Sequence, residues 1–163
     1  MSKSWSAPTA ASATVSSTVA GTGQLEMRGF QLLAPVGATV DYTFKVARMQ
    51  TRLINCYVSS ALTGAVQPGT QADFEGEHSF FGDDQTKIGF ARSLAAAVHL
   101  NWCQIQGKID IGSQAGAKVT FSVIRASRTD EAVEINNNNA GSSFRFENNY
   151  VFQNGSGHGI RVY

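Results

Sequence analysis

The chain has 163 residues, of which 42% are hydrophobic and 15% are charged, and its formal net charge is +1. This length is enough for one domain with a buried core. No apolar run approaches the roughly 20 residues that a membrane-spanning helix needs, so the composition predicts no membrane insertion. Lysines and arginines are spread along the chain, which argues against nucleic acid as a partner, because phosphate binding needs a concentrated basic face.

The first 24 residues form an unusual leader. Fifteen of them are Ala, Ser or Thr, and Lys3 is the only charged residue before Glu26. Such small side chains bury too little apolar area to offset a backbone entropy cost of about 1–2 kcal/mol per ordered residue. We therefore predict an extended N-terminal arm over residues 1–24, which is either disordered or ordered by a partner, with Trp5 as its anchor on a neighbouring subunit. No continuous apolar stretch follows Lys3, so a secretory signal is not expected.

Residues 25–152 are predicted to form a body of eight or nine β-strands, followed by a C-terminal tail over residues 153–163. In Thr39 to Val46, apolar and polar residues alternate strictly, which is typical of a strand with one buried face. No strand alternates with an amphipathic helix, and no repeat of fixed period is visible. Uneven strands with long connections predict an all-β fold, a jelly-roll-like β-sandwich, with an immunoglobulin-like sandwich as the alternative.

Two later segments carry predictions about side-chain direction. Lys118 to Val123 alternates strictly, which predicts that Phe121 faces the core. The span Val98 to Ile111 is long for one strand, and its apolar parity changes after Trp102. A bulge or bend at that point would reconcile the two halves.

The two cysteines, Cys56 and Cys103, lie in separate β-segments without a CxxC or Cys/His spacing, so metal ligation by them is not expected. They could form one disulfide if their strands were neighbours. Without an export signal, two reduced and buried thiols are favoured.

The strongest chemical signal is acidic. Asp73, Glu75 and Glu77 share a parity and are expected on one face of a strand. Calcium prefers several oxygen ligands at this density, so these three residues are a candidate metal site. Two carboxylates two residues apart could also frame a hydrolytic site. The simplest interpretation is a solvated strand face that discourages edge pairing.

Catalytic motifs are absent from the sequence. His78, His99 and His158 are the three histidines, and no nucleophile elbow, phosphate-binding loop or dinucleotide fingerprint accompanies them. His158 lies in a Gly-rich stretch, whereas a catalytic base must be held rigidly. The sequence therefore predicts no catalytic residue, no cofactor and no enzymatic activity.

The Ala/Ser/Thr arm, the β-rich body and the Gly-rich stretch Gly155 to Gly159 together resemble the organisation of small virion structural proteins of tailed bacteriophages, in particular capsid decoration or cement proteins with a jelly-roll body. The resemblance implies a virion protein, made in the host cytoplasm, whose arm bridges neighbouring subunits and whose partners are the major capsid protein or other virion subunits. A charged fraction of 15%, against a typical value of about 25%, fits a surface packed against other subunits.

Self-association is expected on the same grounds. Closed cyclic symmetry is the usual way to cover such a surface, so we expect a homotrimer, with Arg48 and Arg52 as candidate rim contacts. The body plan is also similar to trimeric heads of the tumour-necrosis-factor and complement-C1q type. That resemblance implies a receptor- or glycan-binding module that uses the loops Thr63 to Gln71 and Asn136 to Gly141.

Overall fold

A computed structural model describes residues 15–34, 37–69, 72–91, 97–112, 116–136 and 143–163, with side chains for all of these except residues 15–22, 47 and 48. Regular structure in these ranges consists of strands, and every strand pairing is parallel. None of the described residues belongs to a helix with the length and apolar character needed to cross a membrane.

Most of the strands are two to five residues long and are separated by turns or loops. The first eight are β1 (Val15–Arg28), β2 (Gln31–Leu32), β3 (Tyr42–Ile54), β4 (Tyr57–Val58), β5 (Gly64–Gln67), β6 (Phe74–Glu77), β7 (Phe80–Phe81) and β8 (Ile88–Phe90). The remainder are β9 (Val98–Asn101), β10 (Gln104–Gln106), β11 (Lys108–Gly112), β12 (Gly116–Thr120), β13 (Val123–Ala126), β14 (Val133–Asn136), β15 (Ser143–Glu147), β16 (Tyr150–Gln153) and β17 (Ile160–Val162).

These strands stack into three parallel sheets that form a β-solenoid of about five turns. The first sheet contains the second halves of β1 and β3 with β6, β9, β12 and β15. The second sheet contains β2, β4, β7, β10, β13 and β16, and the third contains the first halves of β1 and β3 with β5, β8, β11, β14 and β17. The long strands β1 and β3 thus run through both the first and the third sheets.

The predicted jelly-roll-like sandwich is wrong, and so is the immunoglobulin-like alternative, because both are built from antiparallel strands and the observed sheets are parallel. The coils also explain why no fixed period is visible in the sequence. Thr120 pairs with Asn101, 19 residues earlier, whereas Ser122 bonds to Asn149, 27 residues later. Loops of different length between successive strands hide the repeat.

Two predictions about side-chain direction have different outcomes. The bend predicted within Val98 to Ile111 is confirmed, since the chain turns there from β9 into β10 and then into β11. The prediction that Phe121 faces the core is wrong. β12 ends at Thr120, Phe121 occupies the turn before β13, and its side chain is 44% exposed.

The core is a continuous column of apolar side chains inside the coils. Phe74, Phe81 and Phe90, from three successive strands of one coil, are at most 1% exposed. The ring of Phe74 meets that of Phe90 edge to face, with centroids 5.1 Å apart. Because each coil packs on the next, the core and the backbone ladders stabilise the same stack.

Both ends of the predicted body pair within this chain. β1 extends across the predicted boundary at residue 24, and residues 15–28 pair with β3. β17 lies in the predicted tail and pairs with β14. The beginning of the predicted arm, residues 1–14 with Trp5, lies outside the described residues.

A compact cluster of charged side chains lies where β11 pairs with β14. The Lys108 ammonium, 8% exposed, lies 3.2 Å from Asp130 and 3.7 Å from Glu131, and it also contacts Glu134. Burial opposes the charged lysine, but the hydrogen bonds to Glu134 and Asp130 raise its pKa overall. The Arg128 guanidinium, with a contribution from Lys108, lowers the pKa of Asp130 to about 2. Opposite charges therefore compensate one another in this cluster.

Candidate binding groove

Every turn from the first sheet into the second is made by one residue with a positive φ. In the first five corners its backbone N–H donates to the carbonyl of the last residue of the next first-sheet strand, as from Trp102 to Thr120 at 3.1 Å and from Phe121 to Glu147 at 3.1 Å. We call these residues the corner ridge: Gly29, Asn55, His78, Trp102, Phe121 and Asn148, with φ between 48° and 69°. Glycine and asparagine adopt this conformation readily, whereas bulky side chains seldom do.

The three bulky members of the corner ridge stack on one another. The rings of Trp102 and Phe121 are nearly parallel, with centroids 4.7 Å apart, and His78 lies parallel to Trp102 at 6.2 Å. The stack is nevertheless open to solvent, because Trp102 is 53% exposed and Phe121 is 44% exposed. The solenoid therefore presents a column of rings on its surface, parallel to its long axis.

After each corner from Asn55 onward, the next residue points inward, and these residues form what we call the inner row: Cys56, Ser79, Cys103, Ser122 and Asn149. Phe30, which follows the first corner at Gly29, is exposed. The Ser122 hydroxyl accepts a hydrogen bond from the backbone N–H of Cys103 at 3.1 Å and donates to the carbonyl of Thr120. Ser79 accepts from Cys56 in the same way. The inner row satisfies buried backbone groups and fixes the path of the chain beneath the corner ridge.

Both cysteines belong to the inner row, and both are free and buried, as expected from the sequence. Ser79 lies between them in the stack, so they are two coils apart. Burial raises the pKa of the Cys103 thiol to about 11. The thiol is therefore protonated at neutral pH and acts as a small packing group.

A second row of outward side chains runs beside the corner ridge on the second sheet. We call it the sheet ridge, and its members pair in register: Gln31, Tyr57, Phe80, Gln104, Val123 and Tyr150. Tyr57 stacks on Phe80 with ring centroids 5.0 Å apart, and Tyr150 is 68% exposed. The corner ridge and the sheet ridge stand on either side of the backbone of the inner row.

The space between the two ridges is the candidate groove. It contains two cavities, each lined by a few residues from several successive coils. The first, of about 400 Å³, extends from the coil of Gly29 to that of Gln104, and the second, of about 750 Å³, extends from the coil of Trp102 to that of Tyr150. Trp102 and Gln104 line both cavities, so the two cavities join across this pair. The groove runs across the strands, along the solenoid axis.

The groove combines apolar surface with amides. Within the described residues, the side chains of Asn55, Gln104 and Asn148 make no hydrogen bond, so their amides are available to a ligand. No Asp, Glu, Lys or Arg is among the described residues that line either cavity. The groove can thus hold a ligand through ring contacts and amide hydrogen bonds, but it offers no carboxylate pair for hydrolysis.

The acidic residues identified in the sequence lie elsewhere, on the outer surface of the first sheet. Glu75 and Glu77 flank Arg52, whose guanidinium lies 3.1 Å from the first carboxylate and 3.2 Å from the second, and Glu26 lies 3.6 Å away. Asp73 lines a small cavity with Glu75 and Arg52. The described residues include no group of three or more His, Cys, Asp or Glu side chains that could hold a metal ion. Arg52 occupies the space between the carboxylates that a cation would need.

The proposed interface residues are not brought together by the described structure. Arg52 is half-exposed and paired with carboxylates. Arg48 lies in β3, but its side chain is outside the described ones, as is Trp5. Their role as interface contacts stays a prediction.

Sequence reasoning missed the groove, although a signal for it exists. After each corner from Asn55 onward, a small Cys, Ser or Asn is followed two residues later by a buried or half-buried apolar residue, as in Trp102-Cys103-Gln104-Ile105 and Phe121-Ser122-Val123-Ile124. The pattern recurs at irregular distances, so it does not appear as a fixed period.

Known proteins offer no guide to the groove. The chain matches no family model, no curated protein and no solved structure. The function must therefore be argued from the geometry.

Proposed function

We propose that this protein is a carbohydrate-binding module, and that its groove holds an extended glycan chain along the solenoid axis. The observation that carries the proposal is the presence of His78, Trp102 and Phe121 at left-handed corner positions with their rings exposed. The same chain places asparagine at two equivalent corners, Asn55 and Asn148. An alternative residue with less backbone strain was therefore compatible with the turn.

Energetic comparison favours a role beyond folding for these rings. A left-handed conformation costs about 1–2 kcal/mol for each bulky residue outside the Gly, Asn, Asp and His group, so Trp102 and Phe121 together cost about 2–4 kcal/mol. Their stacked ring pair returns about 0.5–1.5 kcal/mol. Stacking alone does not offset the strain, and backbone strain of this kind is concentrated at functional sites.

The composition of the groove fits a sugar polymer. Pyranose rings present apolar C–H faces that pack against aromatic side chains, and their hydroxyls exchange hydrogen bonds with amides. Both kinds of partner are present, since the three consecutive rings of the corner ridge lie between Asn55 and Asn148, and Gln104 faces them from the sheet ridge. A proline-rich peptide also favours aromatic grooves, but a hydroxyl-rich ligand makes fuller use of Asn55, Gln104 and Asn148.

The sequence-based prediction of capsid reinforcement is a separate proposal. It depends on the N-terminal arm, whose first fourteen residues lie outside the described part of the chain. The groove favours instead the glycan-binding alternative. The groove, rather than the two loops named from the sequence, is the surface that we propose for that role.

The test is binding of the full chain to a panel of soluble polysaccharides and to poly-L-proline, measured by affinity electrophoresis and calorimetry. Trp102→Asn should keep the fold, because asparagine suits the corner, and should weaken glycan binding about tenfold or more, the loss of a central aromatic contact. His99→Asn, an exposed change on the first sheet of the same coil, is the matched control and should bind normally.

Circular dichroism and thermal unfolding of each variant separate loss of binding from loss of folding. If Trp102→Asn fails to fold, Gln104→Ala provides the same test from the opposite ridge. Binding to poly-L-proline alone, binding to no polysaccharide, or unchanged glycan affinity in both variants would contradict the proposal.

A further inference from the structure

We infer that the groove selects an uncharged glycan and that Trp102 and Gln104 form its central subsite. This inference rests on the proposed function and adds the chemical class of the ligand and its placement. It follows from two separate observations, the distribution of charge around the groove and the way in which its two cavities join.

The charge distribution decides the ligand class. Recognition of a uronate or sulfate group relies on arginine, lysine or oriented backbone N–H groups, and a charge that loses water without such a partner is costly. No Lys or Arg is among the described residues that line the cavities. Backbone N–H groups of the floor, such as those of Gln104 and Val123, already bond to carbonyls of neighbouring coils.

The cations nearest the groove along the chain are engaged elsewhere. Arg28, immediately before the corner at Gly29, bonds to Glu26. Arg52 forms ion pairs with Glu75 and Glu77 on the first sheet. Arg145 bonds to Glu147, immediately before the corner at Asn148. On the second sheet, Arg125 lies over the ring of Phe152, 5.5 Å from its centroid. An anionic sugar would meet amides and rings, with carboxylates at the rim, so it should bind more weakly than a neutral one.

The shared lining decides the placement. Because Trp102 and Gln104 border both cavities, a ligand that fills both must pass between these two side chains. Neighbouring strands lie about 4.8 Å apart, so the six members of the sheet ridge span about 24 Å along the axis. That distance accommodates a chain of several sugar units, and a disaccharide can occupy only part of it.

The experiment uses the full chain and two kinds of probe. Neutral cello-, manno- and xylo-oligosaccharides from disaccharide to hexasaccharide are compared by calorimetry with oligogalacturonates of the same lengths. At least one neutral series should gain about tenfold or more in affinity between disaccharide and pentasaccharide, as contacts in the second cavity are added. Galacturonates should bind about tenfold or more weakly at equal length, because no cation compensates their carboxylates.

A gain-of-function variant strengthens the test. Gln104→Lys places a cation between the two cavities and should narrow the difference between galacturonate and neutral oligomers, while Gln104→Glu should widen it. Equal affinity of neutral and anionic oligomers in the unmodified protein would overturn the assignment of ligand class. Affinity independent of length would overturn the shared subsite. Both of those results would leave the proposed function intact, whereas absence of binding to any glycan would overturn it as well.

Discussion

The outer surface of the first sheet and the groove meet at the corner ridge, and they differ in whether their polar side chains are paired within the protein. On the first sheet, Glu26, Glu75 and Glu77 surround Arg52, so the charges pair with one another. In the groove, the amides of Gln104 and Asn148 make no hydrogen bond within the described residues. A surface whose polar groups are satisfied internally has little to offer a ligand, whereas the groove keeps its contacts available. This difference locates the candidate site more clearly than the acidic residues do.

The largest loss of stability is expected from a change in the buried core, because both outer surfaces are carried by it. Phe81 is fully buried between the sheets, and Phe81→Ala should lower the free energy of unfolding by about 3–5 kcal/mol, measured by chemical denaturation. Phe121→Ala is the matched change on the groove wall and should cost about 0.5–1.5 kcal/mol, the value of one stacked ring pair. Equal losses in the two variants would mean that Phe121 packs in the core after all.

A smaller loss of stability is expected from a change in the inner row. Ser122 is fully buried, and its hydroxyl is the acceptor for the N–H of Cys103. Ser122→Ala leaves that N–H without its partner and should cost about 1–3 kcal/mol in the free energy of unfolding. Ser156→Ala, at an exposed position, should change stability by no more than about 0.5 kcal/mol. A cost at Ser122 no larger than at Ser156 would contradict the structural role of the inner row.

The ion cluster around Lys108 differs from the exposed pairs at Arg52 in its degree of burial, and pH should show this. The folded-state pKa of Asp130 is about 2, below its ordinary value of 3.8. Its contribution to stability is therefore complete above about pH 4 and is lost as the pH falls through about 2. Because the side chain is 36% exposed, solvent screening reduces that contribution to about 1 kcal/mol. Denaturation curves at pH 5, 3 and 2, as an acid titration series, should show this loss. Asp130→Asn should show a shallower decline than the unmodified protein.

The smallest effect is expected at the charged surface. Arg52 is 42% exposed on its side chain, and exposed ion pairs contribute about 0–1 kcal/mol. Arg52→Ala should therefore change the free energy of unfolding by about 1 kcal/mol or less and should leave glycan affinity unchanged. If glycan affinity fell in Arg52→Ala but was unchanged in Trp102→Asn, the glycan would bind the outer surface of the first sheet and not the groove.

Local patterns in the sequence determined the all-β character, the bend after Trp102 and the burial of Cys56 and Cys103, because alternation and residue type depend on each segment and its immediate neighbours. The predicted eight or nine strands were too few, since the described residues contain seventeen strands, most of them short and separated by corners. The candidate groove could not be found in this way. Its ridges assemble residues from successive coils, and coil spacings from 19 to 27 residues conceal their alignment.

The tertiary structure alone decided that the strands pair in parallel and that Phe121 turns outward. Alternation specifies that a strand has two faces, but it does not specify which strand lies beside it or where a corner reverses the parity. At Trp102 and Phe121, the left-handed corner is imposed by hydrogen bonds to neighbouring coils, on residues whose own preferences oppose it. Local sequence determined where strands could form, and long-range stacking decided which side chains became a surface.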